Sequence, residues 1–235
     1  RGMSDASPLQ ESADPPPPRE TPEEQVSYLR AGYSLKSWFF TTDHKRIAIL
    51  YMVAIMFFFV VGGAAAVLMR LDLATPSADL LTSDGYNRAF TMHGVIMVWF
   101  FLIPSIPTTF GNFLIPLMIG ARDLAFPRLN LLSWYIYVIA GFFTLYSLVA
   151  GGVDTGWTFY TPLSTMFANG HVMAALSAVF IVGFSSILTG LNFIVTIINM
   201  RAPGMTLMRM PPFVWMTLIT SFLLVTAFPV ITVAL

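Results

Sequence analysis

Residues 87–120 read NRAFTMHGVIMVWFFLIPSIPTTFGNFLIPLMIG, and between Arg88 and Arg122 the single ionisable side chain is His93. A run this long and this apolar exceeds the ~20 residues that cross the ~30 Å hydrocarbon layer of a bilayer. In lipid every backbone N–H and C=O must pair internally, so the stretch has to be helical. Pro104 and Pro107 lie inside it, each removing an amide donor, and together they predict a bend. The imidazole of His93 is left far from water and needs a partner. That partner is either a nearby hydroxyl or carbonyl, such as Thr91, or a metal.

The same pattern recurs on both sides of this stretch. Apolar segments of spanning length lie at 47–70, 89–119, 131–151, 170–199 and 213–235. They predict an all-α membrane protein, a polytopic bundle of about five helices. Several segments are longer than a bilayer needs, which implies tilt or turns outside the membrane. Composition agrees: of 235 residues 56% are hydrophobic and 10% charged, against ~25% charged in soluble domains, and the mean hydropathy is +0.74. Cysteine is absent, so the chain offers no disulfide, thiolate metal site or catalytic thiol. Twelve basic residues balance twelve acidic ones, which gives no footprint for nucleic acid.

Residues 1–40 differ from the rest. SDASPLQESADPPPPRETPEEQ (4–25) is acidic and proline-rich, and its PPPP run favours an extended chain that builds no core. The expectation is a disordered polar tail over 1–40 and a helical membrane domain over 41–235. Loop charge sets the orientation. Lys36, Lys45, Arg46, Arg122, Arg128, Arg201 and Arg209 fall on one side. The other side carries Asp72, Asp79, Asp84 and Asp154, with Arg70 and Arg88 at its margins. The positive-inside rule then places the N-terminus in the cytoplasm or matrix. In this topology Arg70, His93 and Trp157 share the outer end and Asp123 lies at the inner end.

Taken singly, each of these residues has an ordinary reading. Arg70 suits an anchor that snorkels to the interface, Trp157 an aromatic belt, and Asp123 a loop acid paired with Arg122 or Arg128. His44 and His171 read as interfacial histidines, and Asp72 as a solvated loop acid. Intramembrane ionisable groups are nevertheless functional candidates by default.

Five phrases, in order, alter that balance: TMHGVIM (91–97), FGNFLIPLMIGARDLAFPRLN (110–130), TGWTFYTPLS (155–164), SSILTGLNFIVTIINMRAPGMT (185–206) and FVWMTLITSFLLVTAFPVITVAL (213–235). Together with TTDHKRIAILY (41–51) they make the chain resemble the N-terminal portion of subunit I of the haem-copper oxygen reductases, the cytochrome oxidase family, of the type with a D proton pathway. The resemblance implies that His93 is one axial ligand of a low-spin haem a, and that Arg70 hydrogen-bonds the formyl group of that haem. It places Trp157, with Tyr160 near it, beside the propionate of haem a3, and Asp72 near a calcium or sodium site. Haem a3 and a copper ion (CuB) are implied too, with ligands mainly on helices beyond the fifth of a family bundle of about twelve.

The resemblance further implies that Asp123 opens the D pathway. Asn112, Asn130, Ser185, Ser186 and Asn192 would carry waters inward, although each alone also suits interhelical hydrogen bonding. In quinol-oxidising relatives four ligand-binding positions correspond to Val61, Ala65, Gly85 and Arg88, and none keeps the quinol-binding residue. Cytochrome c is therefore the implied electron donor, within a proton-pumping oxidase of a bacterial plasma membrane. The implied partners are the remainder of subunit I, oxidase subunits II and III and membrane lipid, with a respiratory supercomplex left open. Other readings are a quinol oxidase, a non-catalytic structural fragment, and a proton-coupled transporter using His93 and Asp123.

Overall fold

The computed structural model describes residues 32, 34–77, 79–166 and 170–234. Among these, five helices are long and apolar enough to cross a membrane. A short helix α1 (Leu35–Phe39) precedes the first span, α2 (His44–Asp72). The second span, α3 (Ser83–Ile119), is 37 residues long. Then come α4 (Pro127–Val149), the short α5 (Leu163–Met166), α6 (Val172–Asn199) and α7 (Pro212–Ala234). The five expected spans are all present, with ends shifted by a few residues.

Local chemistry explains the ends. The Asp43 carboxylate accepts from the Lys45 amide at 2.8 Å and starts α2. Thr82 caps α3 through the Gly85 amide at 3.1 Å, and Pro127 begins α4 at a position whose amide has no helical partner. Gly120 closes α3 at φ +73°, where a side chain would be strained.

The prolines of α3 do not break it. The helix widens into two π-helical stretches, Ile96–Leu102 and Ser105–Gly111. Pro104 has no N–H for the carbonyl of Phe100 four residues back, and the Tyr137 hydroxyl donates to that carbonyl instead, at 2.6 Å. A neighbouring helix thus satisfies the group that proline leaves open. The widened turns also change the angular register between His93 and Asn112, which lie on either side of them.

α6 packs between α4 and α7, and α2 lies along α3. Small residues bring the helices close. At Gly190 an added Cβ would lie 3.1 Å from the Ser221 carbonyl, and at Gly141 it would lie 2.6 Å from the Phe58 ring. One core, around Tyr51, Phe100, Tyr137 and Ala175, holds α2, α3, α4 and α6 together. A second, around Ile115, Leu124, Phe193 and Val214, closes the end that carries Asp123. Large apolar side chains such as Val60, Phe142 and Val149 point outward, as a lipid-facing surface requires.

The expected tail lies outside the described residues for its first 31 positions. Within it, Leu35–Phe39 is a short helix, and three contacts hold it. Ser34 caps it at the Ser37 amide, Tyr135 donates to the Phe39 carbonyl, and the Phe39 ring stands edge-on to Trp134 at 5.6 Å.

Candidate functional site

At the end of the bundle where α2 finishes, α3 presents His93 toward α2. Its Nδ1 lies 2.9 Å from the carbonyl oxygen of Gly62. A carbonyl only accepts, so Nδ1 carries the proton and donates. With the Nδ1 proton so placed, Nε2 is the nitrogen left for a lone pair, and it has no hydrogen-bond partner among the described residues. Binding of a metal through one ring nitrogen while the other donates to a carbonyl is a common arrangement for ligating histidines. The His93 ring is paired with the Gly62 carbonyl and not with Thr91, whose hydroxyl accepts from the Gly156 amide at 3.0 Å and ties down the 153–160 loop. That contact also explains the place of Trp157. Its side chain lies on Gly94, where an added Cβ would be 3.0 Å from the Trp157 Cβ. Gly94 thus admits the tryptophan beside His93.

Among the described residues no group of three or more histidines and acids could hold a metal ion. His93 therefore stands apart from any such group, and one imidazole by itself offers a single nitrogen donor. Arg70 is exposed in the last turn of α2, eight residues beyond Gly62 and about 12 Å further along the helix. Tyr160 is exposed.

Asp72 departs from the expected solvated loop acid. It is buried, and its Oδ1 accepts from the amides of Leu80 at 3.0 Å and Leu81 at 2.8 Å. A carboxylate satisfied by two backbone donors organises the loop into α3, and no group of three histidines or acids gathers around it among the described residues.

At the opposite end, Asp123 lies in the α3–α4 loop. Its Oδ1 accepts from the Leu124 amide at 2.7 Å and lies 3.1 Å from Nδ1 of His44. Its partner is thus not Arg122 or Arg128. His44, read from sequence as interfacial, is 4% exposed and packs into the first turn of α2. Its Nε2 is buried without a partner. The phrase TDHK placed it near this end, but only the return of the chain 79 residues later puts Asp123 against it.

Behind this pair lie two buried amides with spare capacity. Asn112 donates to the Thr108 carbonyl at 2.6 Å, while its Oδ1 is buried without a partner. Asn130 is 1% exposed, and neither its oxygen nor its nitrogen has a partner. Unpaired buried polar atoms are costly, and they seat water where there is room. Next comes a hydroxyl cluster. Tyr51 donates to Ser133 Oγ at 2.9 Å and lies 3.2 Å from Ser185 Oγ. Ser133 in turn donates to the Asn130 carbonyl, and Ser185 to the Ser133 carbonyl, both at 2.7 Å. With the two serine protons committed to carbonyls, the one tyrosine proton faces two acceptors.

Sequence reasoning included Ser185 but missed Tyr51 and Ser133. Tyr51 stands seven residues, two helical turns, after His44, a spacing that places both on one face of α2. Two residues expected in this line are differently engaged. Ser186 donates to the Val182 carbonyl of its own helix. Asn192 accepts from the Phe126 amide at 3.0 Å and donates to the Phe126 carbonyl at 3.1 Å. With Thr196, which accepts from the Ala125 amide, it clamps the loop that carries Asp123.

Residues 46–235 match the family described as cytochrome c and quinol oxidase polypeptide I. The chain is 42% identical over 218 residues to cytochrome c oxidase subunit 1 of Thermostichus vulcanus, covering 93% of this chain and 40% of that protein. It is 43% identical over 214 residues to a probable cytochrome c oxidase subunit 1-alpha of Streptomyces avermitilis, covering 89% of this chain and 37% of that protein. It is also 44% identical over 201 residues to quinol oxidase subunit 1 of Bacillus subtilis, covering 84% and 31% respectively. The chain thus spans well under half the length of these relatives.

Proposed function

Because the chain belongs to the subunit I family of the cytochrome c and quinol oxidases, we propose that it is the N-terminal part of the catalytic subunit of a terminal oxidase that takes electrons from cytochrome c to oxygen. In this reading it supplies one axial ligand of a low-spin haem a and the mouth of a proton pathway. The observation that carries it is the fixed tautomer of His93. The Gly62 carbonyl holds the proton on Nδ1 and leaves the Nε2 lone pair for a metal. When bound, a low-spin haem supplies one-electron transfer. The protein's part is to hold the imidazole at the α2–α3 contact and, through Trp157 on Gly94, to pack the space beside it. Arg70 would donate to the haem formyl group, and its cation would raise the potential. Haem a3 and copper would be liganded mainly by the remainder of subunit I, with subunits II and III completing the complex.

The proton route in this reading starts at Asp123. The carboxylate, with 32% of its side chain exposed, collects protons at the mouth. Waters on the spare valences of His44, Asn130 and Asn112 pass them inward. Tyr51 can turn its one proton between Ser133 and Ser185, which continues the line across α2, α4 and α6. Asn192 holds the mouth in place and is not itself a relay. The positive-inside reading puts this mouth in the cytoplasm of a bacterial cell, with the N-terminus on the same side.

Cytochrome c is favoured as donor by the cavity that Val61, Ala65, Gly85 and Arg88 share. Oxidation of a quinol releases protons as well as electrons, so its site needs a group that can accept them. Among these four residues only Arg88 is ionisable, and a guanidinium does not give up its proton. The test uses the complete oxidase carrying this chain. The expected result is a low-spin haem spectrum with oxygen uptake supported by reduced cytochrome c. Uptake supported by quinol alone, with none from cytochrome c, would overturn the donor assignment. Absence of a low-spin haem would overturn the site.

A further inference from the structure

We infer that the groove between α2, the start of α3 and the end of α4 is a binding site for one anionic phospholipid, with its phosphate on Arg88 and an acyl chain along α2. The inference rests on the reading that this cavity, the one weighed above for the electron donor, is not a quinol site, and the quinone arm of the test separates the two. The groove encloses about 490 Å³ and is lined by apolar side chains, with Arg88 as its one charge.

Arg88 is placed there by the backbone. At Gly152, φ is +74°, and an added Cβ would lie 3.3 Å from the Arg88 Cβ, so the loop after α4 rests on the arginine stem. The carbonyl of Gly151 then accepts from Nη1 at 3.3 Å. Of five guanidinium donors, Nε–H is buried without any partner. No carboxylate among the described residues pairs with Arg88. His171 lies on the other side of Gly151. An added Cβ at Gly151 would lie 3.9 Å from Arg88 Nη1 and 4.0 Å from His171 Cδ2. A cation with no carboxylate partner, set among apolar walls, is complementary to an anion carried on a hydrocarbon. A phosphate diester accepts from a guanidinium through two oxygens at once.

The rest of the groove has the shape of an acyl chain. Val60, Val61, Ala64, Ala65 and Leu68 line it on α2. The two alanines form a trough, and Val60 and Leu68 are largely exposed at its rims. From Val60 to Leu68 the helix rises about 12 Å, close to the ~15 Å hydrocarbon depth of one leaflet. Arg88, near the start of α3, lies at headgroup level. A soluble anion would use the cation but leave the trough empty, and a zwitterionic lipid would bring a positive choline to a site whose one charge is already the Arg88 cation.

Native mass spectrometry of the complete oxidase, delipidated in detergent and titrated with phosphatidylglycerol, phosphatidylcholine or inorganic phosphate, tests this. The wild type should retain one phosphatidylglycerol through detergent exchange, and neither of the other two probes should displace it. Arg88→Leu should weaken retention by about tenfold or more. Ala64→Phe, which fills the trough and leaves the cation, should weaken it as well. If Arg88→Leu does not assemble, Ala64→Phe and the competition series decide the matter. Equal retention by wild type and Ala64→Phe, equal binding of phosphatidylcholine, or displacement by phosphate alone would each overturn the site. So would displacement of phosphatidylglycerol by a neutral quinone.

Discussion

At the end of the bundle where α2 finishes, His93 makes one hydrogen bond and keeps a free lone pair on its other nitrogen. At the opposite end, Asp123 is tied to an amide and an imidazole. The loop around it is clamped from α6, and the hydroxyls of three helices interlock behind it. The first arrangement suits a group that binds something from outside the chain. The second suits a group that passes something along, because each member has a partner on either side or a spare valence for water. Both ends use buried polar atoms in an apolar bundle, and they differ in whether those atoms converge on one point or form a line.

That contrast can be broken experimentally, in complete oxidase assembled around each variant. The largest effect should come from His93→Ala. With the single ligand gone, the low-spin haem spectrum should vanish along with electron entry, and optical spectra check it. An intact spectrum would falsify the assignment of His93 as the axial ligand. Asp123→Asn comes next. It should lower turnover by roughly tenfold or more and abolish pumping, while the haem spectrum stays as in the wild type. Oxygen uptake and proton release measured together decide this, and normal values for both would return Asp123 to an ordinary loop acid.

Tyr51→Phe should have a smaller effect. It removes one hydroxyl from the Ser133–Ser185 cluster without changing the ring. Turnover should fall several-fold, and the loss of one or two buried hydrogen bonds should cost about 1 kcal/mol of stability, read in a thermal unfolding series. If turnover is unchanged, the line does not run through α2. The smallest effect is expected for Arg70→Met: a blue-shifted reduced alpha band and a lower midpoint potential with the haem still bound. No change in either would remove the arginine from the haem edge.

The five spans were legible in sequence because a backbone in lipid has only the helical option, so length and hydropathy decide the element. His93 was legible because it is isolated in its span. Asp123 was legible as the one carboxylate in an inner loop after the first span. Partners were not legible, since they depend on which helices touch. His44 read as interfacial and is instead buried against Asp123. Tyr51 and Ser133 passed as ordinary helix residues, because a tyrosine or serine in a span gives no sign of what it faces. Asn192 looked like a member of the line, yet both ends of its amide are engaged by Phe126. Asp72 shows the reverse, a loop acid that proves buried because two amides from a later turn close on it.

The sequence by itself determined that this chain is a helical membrane bundle, where its spans lie, which family wording it carries, and which ionisable groups are set in apolar surroundings. These properties are local, fixed by composition over about twenty residues and by the absence of water to satisfy a backbone. Only the tertiary structure decided that the Gly62 carbonyl selects the tautomer of His93, that Trp157 fills the space over Gly94, and that His44, Asp123, Tyr51, Ser133 and Ser185 occupy one half of the bundle. Those facts depend on contacts between residues up to 134 positions apart. Such contacts depend on how ridges, glycines and π-turns set each helix against its neighbours, which the periodicity of a single helix does not contain.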